Sequence, residues 1–498
     1  MKVGLILAVI IYEIAVVAIV SIVLKAVEKK KAHTAAVSGD DKDFLLAGRN
    51  MGVITLAPTI ALTVLGSAHI TGVFEMSYGM GAIAIWFSLA HVLMVVVACF
   101  ATGQWVRHFG ITTVPELLKD MYGPGVALAI SCTMAGQVWG VLVLECQGMG
   151  IVITALTGWP LQNSIIVGAI IGILWVVFAG MKELGAVNVV NATVMYIGLI
   201  IATVAVAFKM PGGNFNFIMD TFTGEESFMT NVFGNANLFI SFAVGQIIAV
   251  TFCQGISQML MQTMMSAKDE KTIRRSVWLA APLNGLFGVF AVILGLAARA
   301  IPEYAAAGAK EAAMTMLVDL LPGWISAVLL AALLAAILST FAMTSLTPST
   351  IWVNDIYLGY INPKATPKQA TNVTRILIVI LAVCAMITST ALPTILDAIG
   401  WVFSWVIPVF FLVAFGLFWK RNSKVAIAAL AVSWIANILW SFTGIQAAVA
   451  GAIGVTLPNA YVTCILTIVI LVIGNLVSKN GEPGYYKIAE AKMREQQK

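Results

Sequence analysis

Long apolar runs are the feature that most constrains how this chain of 498 residues folds. A helix needs about 20 predominantly apolar residues to cross a bilayer, and the chain offers about thirteen such runs. Its composition, 60% hydrophobic and 10% charged, excludes an ordinary soluble protein. The sequence therefore predicts an all-α polytopic membrane protein. The runs fall near 3–25, 53–75, 79–102, 126–156, 162–180, 186–208, 236–265, 277–300, 322–347, 371–392, 396–418, 424–443 and 458–478.

The positions of Lys and Arg predict the orientation in the membrane. Basic clusters follow the first, third, seventh, ninth, eleventh and thirteenth runs, whereas the loop at 209–235 is acidic. Because cytoplasmic loops are enriched in Lys and Arg, we expect the N-terminus outside the cell membrane and the C-terminus in the cytoplasm. The net charge of +5 follows from this topology and does not indicate nucleic acid binding. We find no HExxH or nucleotide-binding motif, so we expect no enzymatic activity.

Hydroxyl side chains in the ninth run indicate an ion site. Ala336, Ser339 and Thr340 have the spacing i, i+3 and i+4, so they share one face of a helix. Two hydroxyls and one exposed carbonyl on this face suit sodium, which prefers oxygen ligands. The alternatives are hydrogen bonds from the hydroxyls to the carbonyls one turn earlier, or close packing of helices.

Glu145 lies near the middle of the fourth run. A carboxylate at membrane depth indicates a functional site. It is expected to pair with a cationic substrate, to bind a proton, or to pair with His69 or His91. The alternative is a position closer to the outer surface, because the fourth run is long.

Glycines interrupt two of the predicted helices. The second run contains "PTIALTVLGSAHITG" (58–72) and the seventh contains "FAVGQIIAVTFCQGISQ" (242–258). Interrupted helices free backbone carbonyls, which is tolerated where the helices line a cavity or bind an ion. Two interruptions five spans apart indicate an inverted-repeat transporter with a site near the bilayer midplane.

Six stretches, taken together and in order, resemble the solute:sodium symporter family. They are "FLLAGRNMG" (44–52), "TTVPELLKDMYG" (112–123), "GMKELGAVNVVNA" (180–192), "MQTMMSAKDEKTIRRS" (261–276), "AAILST" with "NDIY" (335–340 and 354–357) and "GLFWKR" (416–421). The resemblance implies a LeuT-like core of ten helices in two inverted repeats. It also implies sodium-coupled import of a small polar solute by alternating access. The expected solute is a carboxylate, an amino acid, a sugar or a quaternary amine.

This resemblance divides the chain into five parts. An extra transmembrane helix (1–27) and a cytoplasmic linker (28–52) precede the ten-helix core (53–418). Two further transmembrane helices (419–478) and a cytoplasmic tail (479–498) follow it.

The resemblance also implies a set of sodium ligands. They are the carbonyls of Leu62, Leu65 and Ala336 and the hydroxyls of Ser339 and Thr340. The chain has Asn188 where some family members carry an aspartate for a second sodium, and Ala342 and Met343 offer no hydroxyl one turn beyond Ser339. We therefore expect one sodium ion per substrate.

The substrate site is expected between the interrupted helices and their neighbours. Matching to sugar-transporting family members places His69 and His91 at the pocket, with Ser88 one turn from His91. Helix–helix hydrogen bonds are the alternative for both histidines, and packing or interfacial anchoring is the alternative for the two tryptophans. The substrate-binding candidates are His69, Ser88, His91, Glu145, Ser257, Gln258, Trp401 and Trp405.

Two other functions remain compatible with the sequence. A proton-coupled transporter of the same fold would use Glu145, His69 or His91 as its proton carrier. A sensor built on this fold would need a cytoplasmic kinase or receiver domain, and the tail after about 478 is too short to be one.

Overall fold

A computed structural model describes residues 49–109, 111, 113–178, 181–391 and 395–496, together with seven positions between 11 and 22. The helices of the first half are α1 (Val53–Val64), α2 (Ser67–Ile70), α3 (Gly72–Met80), α4 (Ile85–Val97), α5 (Gln104–His108), α6 (Val114–Tyr122), α7 (Pro124–Thr157), α8 (Leu161–Phe178), α9 (Met181–Lys209), α10 (Asn216–Thr221), α11 (Ala236–Leu238), α12 (Gly245–Gln254) and α13 (Gln258–Met265). Those of the second half are α14 (Glu270–Ala300), α15 (Pro302–Ala305), α16 (Ala312–Leu320), α17 (Gly323–Ile351), α18 (Pro367–Ser389), α19 (Ile395–Ser404), α20 (Ile407–Phe418), α21 (Ser423–Phe442), α22 (Ile445–Ile453), α23 (Asn459–Val477) and α24 (Tyr486–Gln496). Wider π-helical turns extend three of them, at Ala98–Gly103, Phe239–Val244 and Trp352–Ile361, and 3-10 turns lie at Gly81–Ala84, Pro211–Gly213 and Gly224–Thr230. Two short strands, β1 (Lys420–Arg421) and β2 (Glu482–Pro483), pair antiparallel.

The prediction of an all-α polytopic membrane protein is confirmed. Each apolar run from residue 53 onward coincides with helices. Among the described residues, ten helices are long and apolar enough to cross a membrane, and Val53–Val64 and Leu161–Val176 are shorter apolar helices. The long segment Ser67–His108 joins the end of the second run to the whole of the third.

The first predicted run and most of the linker lie outside the described residues. At the positions that are described, Tyr12 donates a hydrogen bond to Asn191 Oδ1 at 3.3 Å, and Val16 packs against Val187. Tyr12 and Val16 therefore lie against α9. At the end of the linker, the Met51 N–H donates to the Ser266 carbonyl at 3.0 Å.

Local sequence signals set where several helices begin. Thr113 and Glu116 form a reciprocal capping box at the start of α6, with a proline in its first turn. Asp269 caps α14 by accepting a hydrogen bond from the Thr272 N–H at 2.7 Å. The Asp269 hydrogen bonds to Thr272 lower the pKa of its carboxyl group.

The basic loops meet at one end of the bundle. The Arg107 guanidinium donates to the Ala267 carbonyl at 3.0 Å, and that of Arg421 donates to the Met121 carbonyl at 2.8 Å. The Tyr485 hydroxyl, just before α24, donates to Asp120 at 2.9 Å. Burial and this carboxylate raise the pKa of Tyr485 to about 12, so the phenol remains a neutral donor at pH 7. Within the described residues, the connections after the third, seventh and eleventh runs and the C-terminal tail therefore contact one another.

Helix α17 is the centre of the core. Of the 18 most apolar consecutive residues of this segment, 89% are buried inside the protein. This is the largest share among the described membrane-spanning helices. It packs against α7, α8, α9 and the broken helix α1. A helix surrounded on all sides has no lipid-facing stripe, so its hydroxyl side chains contact protein alone.

Candidate ion and substrate site

The first interrupted helix breaks at Leu65 and Gly66. α1 ends at Val64 and α2 begins at Ser67, and between them Leu65 has ψ 56° and Gly66 has ψ −156°. A Cβ atom at Gly66 would lie 2.3 Å from Glu145 Oε1 and 2.7 Å from Thr340 Cγ2. The break therefore requires glycine because two other helices approach its backbone.

The second interrupted helix breaks between Gln254 and Gln258. The carbonyl of Gly255, in this break, accepts a hydrogen bond from the Thr102 hydroxyl at 2.5 Å. The two broken helices meet directly, because the hydroxyls of Thr63 and Thr263 lie 3.2 Å apart. The predicted pair of interruptions is therefore present, and the two face each other.

Thr340 brings three of the predicted sodium ligands together. Its hydroxyl donates to the Leu62 carbonyl at 2.8 Å and lies 3.4 Å from the Ala336 carbonyl. The hydroxyl of Ser339 is buried and has no hydrogen-bond partner among the described residues. A buried hydroxyl without a partner costs free energy, which an ion bound here would recover. The oxygen set therefore fits sodium, with Leu65 following directly in the break.

The neighbouring hydroxyls of α17 are used differently. Thr344 donates to the Thr340 carbonyl at 2.8 Å, and Ser345 donates to the Phe341 carbonyl at 2.7 Å. Both hydroxyls are thus occupied within their own helix. The back-bonding alternative accounts for these two residues. Thr340 makes only a longer contact of this kind, to Ala336 at 3.4 Å, beside its shorter bond to Leu62, and the Ser339 hydroxyl has none among the described residues.

Glu145 reaches the first break from α7. Its Oε2 accepts hydrogen bonds from the Ser67 N–H at 2.9 Å and from the Ser67 hydroxyl at 2.8 Å. Glu145 is 1% exposed, so its side chain is enclosed by the protein. Its hydrogen bonds go to Ser67 and not to a histidine. The carboxylate therefore occupies the backbone donor that the break sets free.

A small cavity lies between the two broken helices and their neighbours, and all of its lining residues are buried. It is lined by Thr63, Val64, Gly66, Ala68, His91, Val141, Glu145, Gln254, Met259, Thr340, Ile399 and Phe403. These residues come from α1, α2, α4, α7, α12, α13, α17 and α19 and from the break itself. The volume of this cavity is about 10 Å³, enough for one water molecule, so binding of a solute here requires the surrounding helices to separate.

Comparison with known proteins identifies the family. The model of the sodium:solute symporter family matches residues 44–436. The chain belongs to this family. It is 25% identical to a sodium/glucose cotransporter of Vibrio parahaemolyticus, over 79% of this chain and 78% of that protein. It is also 25% identical to a monocarboxylic acid transporter of Corynebacterium glutamicum, over 86% and 80%.

A solved structure shares the fold of this symporter. A substrate-bound, outward-open Na+-coupled sialic acid symporter matches with a TM-score of 0.74 at 16% identity, over 89% of this chain and 94% of that one. The family and its transporter relatives confirm that the chain is a sodium-coupled symporter and not an enzyme.

The two predicted histidines of the symporter lie against each other. Their ring centroids are 4.1 Å apart, and His91 lines the cavity. Nδ1 of His69 lies 2.9 Å from the Val64 carbonyl, and Nδ1 of His91 lies 2.8 Å from the Phe87 carbonyl. A carbonyl only accepts, so each Nδ1 carries the proton, and each Nε2 of a neutral ring is an acceptor.

Three other predicted substrate residues lie away from this lining. Ser88 packs against α14, where a Cβ at Gly288 would lie 2.4 Å from its hydroxyl. Gln258 Oε1 accepts from the Val114 N–H at 2.8 Å, at the start of α6. Ser257 is buried beside the second break, and its hydroxyl has no partner within the described part of the chain. Their roles in substrate binding stay predictions.

Trp401 and Trp405 face the C-terminal helices. Their ring centroids lie 5.4 Å apart, and Trp401 also packs 6.3 Å from Phe442 of α21. Ile399 and Phe403 present the opposite face of the same helix to the cavity. This geometry favours the packing alternative for the two tryptophans.

Three polar residues of the site escaped the sequence analysis: Ser67, Gln254 and Thr63. Ser67 follows Gly66 directly, so its N–H lies at the start of a helix and lacks an intrahelical partner. The sequence therefore already indicated that this N–H needs a capping group. Gln254 lines the cavity with a buried Oε1 that has no partner within the described residues. Nothing in the sequence fixes the rotation that turns Gln254 and Thr63 inward.

Proposed function

We propose that this symporter imports a small polar organic solute together with one sodium ion, by alternating access of its two helix repeats. The carbonyls of Leu62, Leu65 and Ala336 and the hydroxyls of Ser339 and Thr340 hold the ion. The observation that carries this proposal is the contact of the Thr340 hydroxyl with the Leu62 carbonyl at 2.8 Å. This contact joins the broken helix α1 to the central helix α17.

The single ion is supported by the surroundings of Asn188. This residue is fully buried on α9, at the position where some family members carry a charged aspartate. It is neutral, so it supplies no charge to a second cation, and Ala342 and Met343 supply no oxygen from their side chains.

The proposed orientation places the N-terminus outside and the C-terminus in the cytoplasm. It is supported by the meeting of the basic loops with the tail at one end of the bundle, because such loops are retained in the cytoplasm. The acidic segment packs elsewhere, where the Trp86 indole N–H donates to the Val232 carbonyl at 2.9 Å.

Uptake by proteoliposomes tests the function. Vesicles are loaded with potassium, diluted into sodium or into potassium, and supplied with labelled glucose, a monocarboxylate, proline, sialic acid or a primary amine. We expect one class to accumulate only under an inward sodium gradient. Accumulation driven by a pH gradient in sodium-free buffer would instead assign proton coupling.

A further inference from the structure

Glu145 has one carboxylate oxygen occupied and one free. All of its carboxylate hydrogen bonds go to Oε2, from the N–H and hydroxyl of Ser67. Across the described residues no donor lies within hydrogen-bonding distance of Oε1, which lies over Gly66 at the edge of the cavity. Because Glu145 lines the cavity, a group bound there can reach this oxygen. Its natural complement is a cation that enters the cavity.

Thr340 contacts both the broken helix α1 and the edge of the cavity. A Cβ at Gly66 would lie 2.3 Å from Glu145 Oε1 and 2.7 Å from the Thr340 methyl carbon. The hydroxyl of Thr340 instead contacts the Leu62 carbonyl. The methyl group of Thr340 therefore lies beside Gly66, as Glu145 Oε1 does, and its hydroxyl lies at the proposed ion site.

The rest of the polar lining offers two further acceptors, beside the donors of the Gln254 amide group and the Thr63 hydroxyl. Gln254 Oε1 is buried, and no partner for it lies within the described residues. His91 donates through Nδ1 to the Phe87 carbonyl, which leaves Nε2 as an acceptor. The lining contains no Lys or Arg. Acceptors around a carboxylate, without a cationic side chain, favour a ligand that brings both positive charge and N–H donors.

The same arrangement disfavours other solutes. The freed N–H of Ser67, which would otherwise attract a substrate carboxylate, is already occupied by Glu145. A quaternary ammonium group has no N–H to donate and is recognised by aromatic rings. Among the lining residues only Phe403 carries a Phe, Tyr or Trp ring.

We infer that Glu145 Oε1, Gln254 and His91 recognise a small organic cation that carries N–H groups, such as a primary or secondary amine or a guanidine. This inference rests on the proposed function, because sodium binding at α1 and α17 fixes the break against which Glu145 is held. It assigns the substrate class, which the family and the fold leave open.

The test uses purified full-length protein in sodium and in potassium buffer. Small amines and guanidines are screened by thermal shift, each beside the carboxylate, the alcohol and the trimethylammonium compound of the same carbon skeleton. We expect sodium-dependent stabilisation by N–H cations alone, because a ligand that binds only the folded state raises its stability. A screen in which no amine or guanidine stabilises the protein, or in which the matched carboxylates do, overturns the inference.

Glu145→Gln is the decisive variant. The glutamine oxygen still accepts from Ser67, so the fold is retained, while the negative charge is lost. We expect the amine to bind at least tenfold more weakly. Glu75→Gln changes another buried glutamate, on α3 outside the cavity lining, and is expected to leave the affinity unchanged. Equal amine affinity in Glu145→Gln and wild type overturns the inference.

Stabilisation by sodium alone keeps the two proposals distinguishable. It reports the ion site and is expected to persist in Glu145→Gln, which also shows that the variant is folded. If sodium fails to stabilise even the wild-type protein, the proposed function fails. If sodium stabilises it and the amines do not, the substrate assignment alone fails.

Discussion

Replacing Thr340 with valine removes the hydroxyl of this residue and keeps the shape of its side chain. Valine keeps the β-branched outline and the methyl group beside Gly66, and it removes the oxygen that contacts the Leu62 carbonyl at 2.8 Å. A hydrogen bond or ligand contact to a charged partner contributes about 1.5–3 kcal/mol. Each 1.4 kcal/mol is a factor of ten, so we expect sodium to bind roughly 10- to 150-fold more weakly.

The matched control is Thr344→Val, one turn further along α17. Its hydroxyl is equally buried, but it donates to the Thr340 and Phe341 carbonyls of its own helix. Titration of sodium against the thermal midpoint, at constant ionic strength with potassium, gives the affinity of each variant. A Thr340→Val affinity within twofold of wild type would refute the sodium assignment. So would an equal loss in Thr344→Val, because that would report a general disturbance of α17.

Three further predictions follow from single contacts. Gly66→Ala places a Cβ 2.3 Å from Glu145 Oε1, so we expect loss of sodium-driven uptake in protein that still reaches the membrane. The control is Gly136→Ala, where the added carbon has no atom within 4 Å. Gln258→Ala removes the acceptor for the Val114 N–H, so we expect faster hydrogen exchange at the start of α6 with sodium affinity unchanged. The lowered pKa of Asp269 means that its stabilisation of α14 is present above the ordinary aspartate pKa and is lost as the pH falls through the lowered one. Exchange in the first turn of α14 should therefore rise at acid pH in wild type and be independent of pH in Asp269→Asn.

The sequence predicted the helices better than their rotations. Run lengths and loop charges depend only on the order of residues in the chain. The helices predicted from residue 53 onward therefore lie where the structure has them. The position of Ser88 depends on the rotation of α4, which turns the residue toward Gly288 of α14. The rotation of α19 likewise turns Phe403, and not Trp401, toward the cavity. Such rotations are set by packing between helices distant in sequence.

Glu145 shows how far a single residue can indicate a functional site from the sequence alone. A carboxylate in an apolar run is costly enough to indicate function by itself, but its partner could not be named from the sequence. The partner is the Ser67 backbone, which becomes a free donor because the helix breaks at Gly66. The glycine and the glutamate are 79 residues apart in the chain, so only the folded structure joins them.

The two proposed sites both include the end of α1 and the break that follows it. This gives the coupling between sodium and solute a physical basis. The ion ligands hold the end of α1 against α17 through Leu62 and Thr340. Four and five residues after Leu62, Gly66 and Ser67 hold the Glu145 carboxylate at the cavity. An ion that fixes the end of α1 therefore fixes the position of the carboxylate before the solute arrives. The coupling free energy is reciprocal, so the solute that binds Glu145 must raise the sodium affinity by the same factor.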